Sequence, residues 1–479
     1  MPPVLSFKSI LKREAKDSSI FTFAIYLPVA VNFFLIPFYW QKLTPTDFGI
    51  IAIVEIITVY ISIFSGLKLE ESVKRFYYEW DVDSRKENIT TLWIIQWGSN
   101  VVFGLLALAI VYLSHDFFFP DVAFKYFILG LISYTLETLF VLPTTLVRVQ
   151  KRPVLFSVIS LTKSFLLIGF NIYFILILQW GLTGFFIANL IGHGIIAVLG
   201  LSIMISVFTW KFNYKELKVA FRFSLPLIPT LAIASISKTV DKILLQKFVS
   251  TEALGLFSQA LKISGLINKL YQAIKTSYVP FLYKFIFEDK RNEVVFRMSK
   301  FYLAPLFIAS FSLFVFADEI IIWIDRPAYL EIIQYLPYLI FIELISSIVI
   351  FYAPGIGIAK KNELLVIPTT VNSLITIIGG FVLIPFLQLY GIIILRLLLT
   401  ISNLIIRIIL SLKVYDMKYD WQALFFYLFT YIALSLTGSF LSFQNLLYNL
   451  LFGAGLVFIQ LCFIGIYLVI NKSSGYTER

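Results

Sequence analysis

A stripe of cationic and small polar residues runs along one side of a predicted helix in the second half of the chain. These residues recur at steps of four and three, a spacing that puts them on one helical face. The stripe consists of Ser258, Lys262, Gly265, Lys269, Gln272 and Thr276. Mainly leucine and isoleucine occupy the other faces. Two lysines on an apolar helix do not face lipid favourably, so the stripe predicts a wet cationic cavity that attracts anions.

Other ionisable residues interrupt the apolar runs of the chain. An ionised side chain at the centre of a membrane helix costs about 2.5–3.5 kcal/mol, so each one needs a partner or water. The cations predicted to bind an anionic ligand are Lys163, Lys238, Lys262, Lys269 and Arg396. The acids predicted to pair with these cations, or to take up a coupling proton or sodium ion, are Glu55, Asp241 and Glu343. The alternative, that some of these charges form fixed ion pairs between helices, stays open.

The composition places these residues in a membrane protein. The chain has 479 residues, of which 59% are hydrophobic and 14% are charged, whereas soluble domains carry about 25% charged residues. Its mean hydropathy is +0.89. The single cysteine, Cys462, excludes an intramolecular disulfide framework and a cysteine metal site. With only two histidines, the sequence predicts neither a metal nor a cofactor.

The apolar runs predict an all-α polytopic bundle of about 14 spans, because a helix needs about 20 apolar residues to cross a bilayer. The predicted spans cover residues 20–39, 48–67, 90–113, 122–143, 154–178, 183–208, 223–245, 254–281, 296–316, 331–352, 364–387, 390–412, 421–440 and 446–470. Basic residues are concentrated in every second connecting segment, which accounts for the net charge of +11. The positive-inside rule then predicts that both termini are cytoplasmic. Binding to nucleic acid is not expected.

Internal repetition predicts two related bundles. Residues 43–52 align with residues 249–258, which pairs Thr44 with Ser250. The turn that begins at Gln179 resembles the turn that begins at Gln388, which pairs Gly184 with Gly391. Two pseudo-symmetric six-helix bundles in parallel orientation are typical of many transporters. The predicted domains are residues 1–215, residues 216–413 and an appended helix pair with a short cytoplasmic tail, residues 414–479.

The connecting segments leave little room for catalysis. The predicted outward loops are short, and the phosphate-binding pattern G-x-x-x-x-G-K-[ST] is absent from the sequence. The sequence therefore predicts that the protein is not an enzyme, and that any transport draws its energy from a gradient or a downstream reaction.

Two segments resemble one transporter family. The segment 66–79, GLKLEESVKRFYYE, resembles the helix-end motif of Wzx-type polysaccharide flippases, which belong to the multidrug/oligosaccharidyl-lipid/polysaccharide superfamily. Residues 240–245 and 253–258 resemble the second-half motif of that family. Within the first motif, Arg75 and Glu79 lie at the predicted cytoplasmic end, where a gate or folding role is expected.

The resemblance implies a function and partners. It implies that an undecaprenyl-diphosphate-linked oligosaccharide moves from the inner to the outer leaflet of the bacterial cytoplasmic membrane, for surface polysaccharides such as O-antigen. The implied partners are this lipid-linked sugar, membrane lipids, a polysaccharide polymerase and a chain-length regulator. A lipid II flippase, a cation-coupled drug antiporter of the same fold and a membrane-embedded polymerase or glycosyltransferase remain as alternatives.

Overall fold

The computed structural model describes residues 27–285, 291–416, 419–440 and 446–470, and every regular element in these ranges is helical. A π-helical turn, Ile172–Ile177, extends α7. The helices are α1 (Leu27–Trp40), α2 (Pro45–Ser65), α3 (Leu69–Phe76), α4 (Val82–Phe118), α5 (Phe124–Thr138), α6 (Val141–Val149), α7 (Pro153–Asn171), α8 (Gly181–Ile205), α9 (Tyr214–Ser224), α10 (Leu227–Phe248), α11 (Thr251–Phe285), α12 (Arg291–Ile324), α13 (Ile332–Tyr352), α14 (Gly355–Ile358), α15 (Val366–Val414), α16 (Trp421–Phe440) and α17 (Leu446–Ile470). The predicted all-α membrane fold is thereby confirmed.

Eleven helical segments of the described chain are long and apolar enough to cross a membrane. The other predicted spans correspond to α1, which is described only from Leu27, to α11 and to half of α15. Lys262, Lys269 and Lys275 make α11 less apolar than its neighbours. The helix α15 joins two predicted spans across a kink at Gln388. The count of fourteen spans stays a prediction.

The two turns that the repeat paired have the same backbone feature. Gln179 and Gln388 both have positive φ, 57° and 51°, a region that residues other than glycine seldom adopt. After each turn, a glycine lies against the end of the preceding span. A Cβ on Gly184 would lie 2.9 Å from the Phe174 carbonyl oxygen, and one on Gly391 would lie 2.3 Å from that of Leu383. Both glycines therefore allow a close approach of backbones.

The other pair of the repeat is a pair of helix N-caps. Thr44 and Asp47 form a capping box at the start of α2, with each side chain accepting the backbone N–H of the other residue. The Ser250 hydroxyl accepts the Ala253 N–H at the start of α11 (2.9 Å). Such caps satisfy backbone donors that the first helical turn leaves unpaired. The aligned segments thus begin corresponding helices in the same way.

The chain divides into two compact units, residues 1–235 and 236–479, with the division inside α10. In the first unit, α3 and α9 pack at one end of the long helices. The buried side chains of this cluster include Leu69, Val73 and Leu92. The Ser72 hydroxyl donates to the Ala220 carbonyl of α9 (3.1 Å), which joins α3 to the helix that follows α8.

The core of the second unit is rich in aromatic residues and joins the last two helices to α12. Buried rings of this cluster include Tyr278, Phe307 and Tyr427. A buried ion pair connects Lys300 Nζ of α12 with Asp420 Oδ2, immediately before α16 (2.8 Å). The predicted domain boundaries at residues 215 and 413 stay predictions.

Candidate functional site

The cationic stripe lies on α11 and is accessible along much of its length. Lys262 and Lys269 are both exposed, and the intervening Gly265 is partly exposed. The two lysines are seven positions apart, which corresponds to two helical turns, or about 10 Å along the axis. The opposite side of α11 is buried through residues such as Leu256 and Ile267. The helix therefore presents two ammonium groups on one face and an apolar surface on the other.

Arg396 and Asp241 form a buried ion pair in the second unit. Arg396 Nη2 of α15 lies 2.7 Å from Asp241 Oδ2 of α10, and the Asp241 side chain is fully buried. The other carboxylate oxygen accepts the Lys242 backbone N–H (2.8 Å). The guanidinium also lies over the Phe257 ring, with its carbon 5.1 Å from the ring centroid. The structure thus brings a predicted anion-binding cation together with a predicted coupling acid.

Glu343 of α13 contacts α11, the helix that carries the lysine stripe. Its Oε2 accepts a long hydrogen bond from the Asn268 side-chain amide (3.4 Å). Gln272 donates to Asn268 Oδ1 (3.5 Å), so a short amide chain follows α11 beside Lys269. Arg396 is close enough to Glu343 to interact with it electrostatically. The acids Glu343 and Asp241 therefore both lie near one guanidinium.

In the first unit, Lys163 belongs to a cluster of three helices. Its Nζ lies 2.5 Å from Glu137 Oε1 of α5. The other oxygen of Glu137 is 3.9 Å from His193 Nε2 of α8, and His193 Nδ1 is hydrogen-bonded to the Ser133 hydroxyl (2.8 Å). Lys163 is thus neutralised within its own unit by Glu137. Whether it contacts a ligand stays a prediction.

Glu55 has an exposed side chain on α2. Two hydroxyls that follow Glu55 on α2 donate to the backbone of their own helix. Thr58 donates to the Glu55 carbonyl (2.8 Å), and Ser62 donates to the Val59 carbonyl (2.6 Å). The Glu55 carboxylate is therefore accessible, whereas these two hydroxyls are bonded within α2.

The first family motif, residues 66–79, contains α3. Arg75 and Glu79 form an exposed ion pair one helical turn apart, whereas the apolar residues of the motif, Leu69 and Val73, are fully buried. Exposed pairs of this kind contribute little to stability, typically less than about 1 kcal/mol. The gate role of the pair stays a prediction.

A buried polar chain joins α2, α3 and α4, and sequence reasoning missed it. Ser65 donates to Asn100 Oδ1 (2.5 Å), and the Gln96 side-chain amide donates to Glu70 Oε2 (2.7 Å). Gln96 and Asn100 are buried and four residues apart, and the Asn100 side-chain amide donates to the Gln96 carbonyl (2.8 Å). The sequence signal that could have indicated this network is a pair of amide residues, four positions apart, within an apolar run. Burial raises the pKa of Glu70, although Lys68, 3.9 Å away, partly opposes this effect.

The remaining predicted cation, Lys238, lies in α10, but its side chain is outside the part of the structure that is described. Within the described residues, no three His, Cys, Asp or Glu side chains converge in a way that could hold a metal ion. The arrangement can attract anions on α11 and can exchange ion-pair partners at Arg396 and Lys163.

Comparison with known proteins identifies the family and the fold. Residues 42–334 match the family described as polysaccharide biosynthesis protein. No curated protein matches the sequence.

The structure resembles solved transporters of the MOP superfamily. It matches the lipid II flippase MurJ in an inward closed conformation with a TM-score of 0.71 and 16% identity, covering 94% of this chain and 99% of MurJ. It matches an inward-facing multidrug resistance MATE transporter with a TM-score of 0.60 and 13% identity, covering 81% and 93% of the two chains. A MOP superfamily transporter from Pyrococcus furiosus, described as having a binding pocket of reverse polarity, matches with a TM-score of 0.51 and 14% identity, covering 82% and 95%. At these identities the matches establish the fold of a multi-pass membrane transporter.

Proposed function

Because the chain belongs to the polysaccharide biosynthesis protein family, we propose that it is a flippase for an undecaprenyl-diphosphate-linked oligosaccharide. The protein moves one repeat unit from the inner to the outer leaflet of the bacterial cytoplasmic membrane, without catalysing a chemical reaction. The MOP transporter fold supports movement across the bilayer. This step would supply the repeat units from which surface polysaccharides such as O-antigen are built.

The observation that carries this proposal is the exposed lysine pair of α11. Lys262 and Lys269 lie on one face, about two helical turns apart. A diphosphate carries more than one negative charge, and a single ammonium neutralises it poorly where water is scarce. Two cations at this spacing can bind the diphosphate and an adjoining acidic sugar together. A drug antiporter that carries cations would instead favour acids on this face.

The paired cations provide a second set of contacts for the cargo. Arg396 is held by Asp241, and Lys163 by Glu137. An arriving phosphate can replace a carboxylate as the partner of either cation, because guanidinium and ammonium groups bind both. The released Asp241, together with Glu55 and Glu343, can then take up a coupling proton or sodium ion. Binding of cargo and ion would thereby be linked.

The proposal includes an orientation and protein partners. Both termini are cytoplasmic, as the distribution of basic residues predicts. The exposed pair Arg75 and Glu79 then lies at the cytoplasmic end, where it acts as a gate or supports folding. The delivered unit passes to a polysaccharide polymerase and a chain-length regulator at the outer leaflet.

The test is flipping of lipid-linked oligosaccharide in proteoliposomes that contain the full-length protein. Lys262→Ala and Lys269→Ala are each expected to reduce the flipping rate by about tenfold, since each removes one charge-assisted contact. Lys275→Ala is the matched control. It removes an exposed lysine from the same helix, but at six residues from Lys269 it points about 120° away from that lysine.

Four outcomes would contradict the proposal. Equal flipping by all three variants would make the stripe structural. Flipping of lipid II but not of the oligosaccharide lipid would assign the protein to lipid II transport. Export of small cations driven by a proton gradient, with no lipid flipping, would make it an antiporter. Polymer formation from lipid-linked sugar by the purified protein would contradict the assignment as a non-enzyme.

A further inference from the structure

A cavity of about 700 Å³ lies within the second unit, among α12, α13, α16 and α17. Its volume falls in the range of about 300–1,000 Å³ that is typical of small-molecule sites. All its lining residues lie in the last halves of α12 and α16 and the first halves of α13 and α17. These four half-helices meet at one end of the bundle, so the cavity belongs to one side of the membrane. None of the charged residues considered above lines it.

Acidic and amide groups are concentrated toward the end of the cavity that is nearer the helix termini. Asp318 and Glu319 lie six and five residues before the end of α12, and Gln334 and Asn449 lie near the starts of α13 and α17. One oxygen of each carboxylate, Asp318 Oδ1 and Glu319 Oε2, is buried and has no hydrogen-bond donor among the described residues. Within the described chain, neither acid forms an ion pair. Two such carboxylates side by side favour a cation.

The deeper part of the cavity is apolar and aromatic. Phe314, Phe341 and Leu456 line it nine or ten residues from the ends of their helices, and Tyr431 lies at the same depth in α16. At 1.5 Å per residue, these side chains lie about 6–8 Å farther into the bilayer than the acidic pair. The cavity therefore changes from acidic to apolar in the direction that leads from the membrane surface to its interior.

We propose that this cavity binds an amphiphile whose ammonium head lies against Asp318 and Glu319. The apolar body of the ligand packs against the aromatic wall, so its orientation matches that of a lipid or a hydrophobic amine in a bilayer. The site is separate from the lysine face of α11 and does not depend on the proposed cargo. An anionic lipid head is disfavoured there, because it would face two carboxylates without a compensating cation from the described residues.

The test uses three probes with the same twelve-carbon chain: dodecylamine, dodecanol and dodecanoate. Binding to the full-length protein in a neutral maltoside detergent is measured at pH 7 by calorimetry. We expect dodecylamine to bind at least about tenfold more tightly than the other two, since only its head carries a positive charge that the two carboxylates attract. Equal affinities would overturn the proposal, and this comparison needs no variant.

Variants locate the site. Asp318→Asn and Glu319→Gln, alone and combined, are expected to weaken dodecylamine binding by about tenfold or more while leaving dodecanol binding unchanged. Asp121→Asn removes an exposed acid from the first unit and is expected to change neither. Full affinity in the folded double variant would overturn the proposal.

A last measurement identifies the natural source of the ammonium group. Native mass spectrometry of protein purified from membranes would show bound phosphatidylethanolamine if a lipid head occupies the site, and Asp318→Asn/Glu319→Gln would lose it. Dodecylamine binding without such an adduct would assign the site to a free amphiphilic amine. Retention of an anionic lipid that depends on Asp318 and Glu319 would contradict the proposed charge preference.

Discussion

Arg396 and Asp241 are 155 positions apart in sequence, yet their side chains are in contact, with Nη2 and Oδ2 2.7 Å apart. The Asp241 side chain is fully buried, and that of Arg396 is 19% exposed. A pair this poorly hydrated is costly to separate, because either charge alone would lack both water and a partner. A ligand can therefore displace Asp241 only if it offers Arg396 an equally good anion.

We predict that Asp241→Asn lowers the stability of the second unit by about 3–5 kcal/mol, because it leaves the Arg396 guanidinium uncompensated. Thermal unfolding in detergent measures the loss. The double variant Asp241→Asn/Arg396→Met should recover part of the stability, since it also removes the orphaned charge. A single variant as stable as the wild type would show that Arg396 finds another partner, and Glu343, which interacts with it electrostatically, is a candidate.

A second prediction concerns the pair formed by Lys163 and Glu137. We expect a double-mutant cycle with Lys163→Met and Glu137→Gln to give a coupling energy of about 0.5–3 kcal/mol, because the two groups are in direct contact. The pair is more exposed than Arg396 and Asp241, so each single variant should lose less stability than Asp241→Asn. Additive effects of the two substitutions would contradict a fixed ion pair.

The same cycle, read out as flipping in proteoliposomes, separates the two roles of Lys163. A structural role predicts that Lys163→Met/Glu137→Gln flips normally, since the neutral pair still packs. A role in binding cargo predicts a loss of flipping in every variant that lacks Lys163, whatever its stability.

A third prediction uses the pH dependence of Glu70. Burial raises the pKa of this carboxyl above its ordinary value of 4.5, so folding favours its protonated form. The stabilising contribution is fully present below the unfolded-state pKa and is lost as the pH rises through the folded-state pKa. The wild type should therefore lose stability relative to Glu70→Gln between pH 4 and neutral pH, because the amide does not titrate.

Melting temperatures of the two proteins across that pH range provide the measurement, and their difference removes the contribution of every other titrating group. The substitution keeps an oxygen that can accept the Gln96 amide hydrogen bond, so it changes charge with little change in packing. A difference that grows in favour of the wild type with rising pH would show that Lys68 stabilises the ionised carboxylate more than burial destabilises it.

The sequence predicted those features that depend on spacing within a helix or on local turn chemistry. The apolar runs located the membrane helices, and the repeat paired Thr44 with Ser250, which both prove to be N-caps. It did not identify the partner of Lys163, because helical periodicity gives the face of a residue but not which neighbouring helix covers it. Gln96 and Asn100 were missed for a related reason. An amide side chain in an apolar run can face lipid and bond to the backbone of its own helix, or it can join a buried network between helices. The sequence alone does not distinguish the two arrangements.

A final prediction tests the close packing that the repeat implies. Gly391→Ala would place a Cβ 2.3 Å from the Leu383 carbonyl oxygen and 2.7 Å from its carbon. Backbone atoms at that point cannot turn aside as a flexible side chain can, so the two halves of α15 must move apart at their kink. Overpacking of this kind costs about 1–3 kcal/mol.

Gly169→Ala is the matched control, since no other atom lies within 4 Å of the added Cβ. Alanine in a helix is favoured over glycine by about 0.5–1 kcal/mol, so this variant should melt at the wild-type temperature or above it, whereas Gly391→Ala should melt below it. Gly184→Ala should behave like Gly391→Ala, because its Cβ would meet the Phe174 carbonyl at the equivalent turn. Destabilisation at both turns, with none at Gly169, would show that the paired glycines have the same structural role; an unaffected Gly391→Ala would mean that the kink at Gln388 opens without cost.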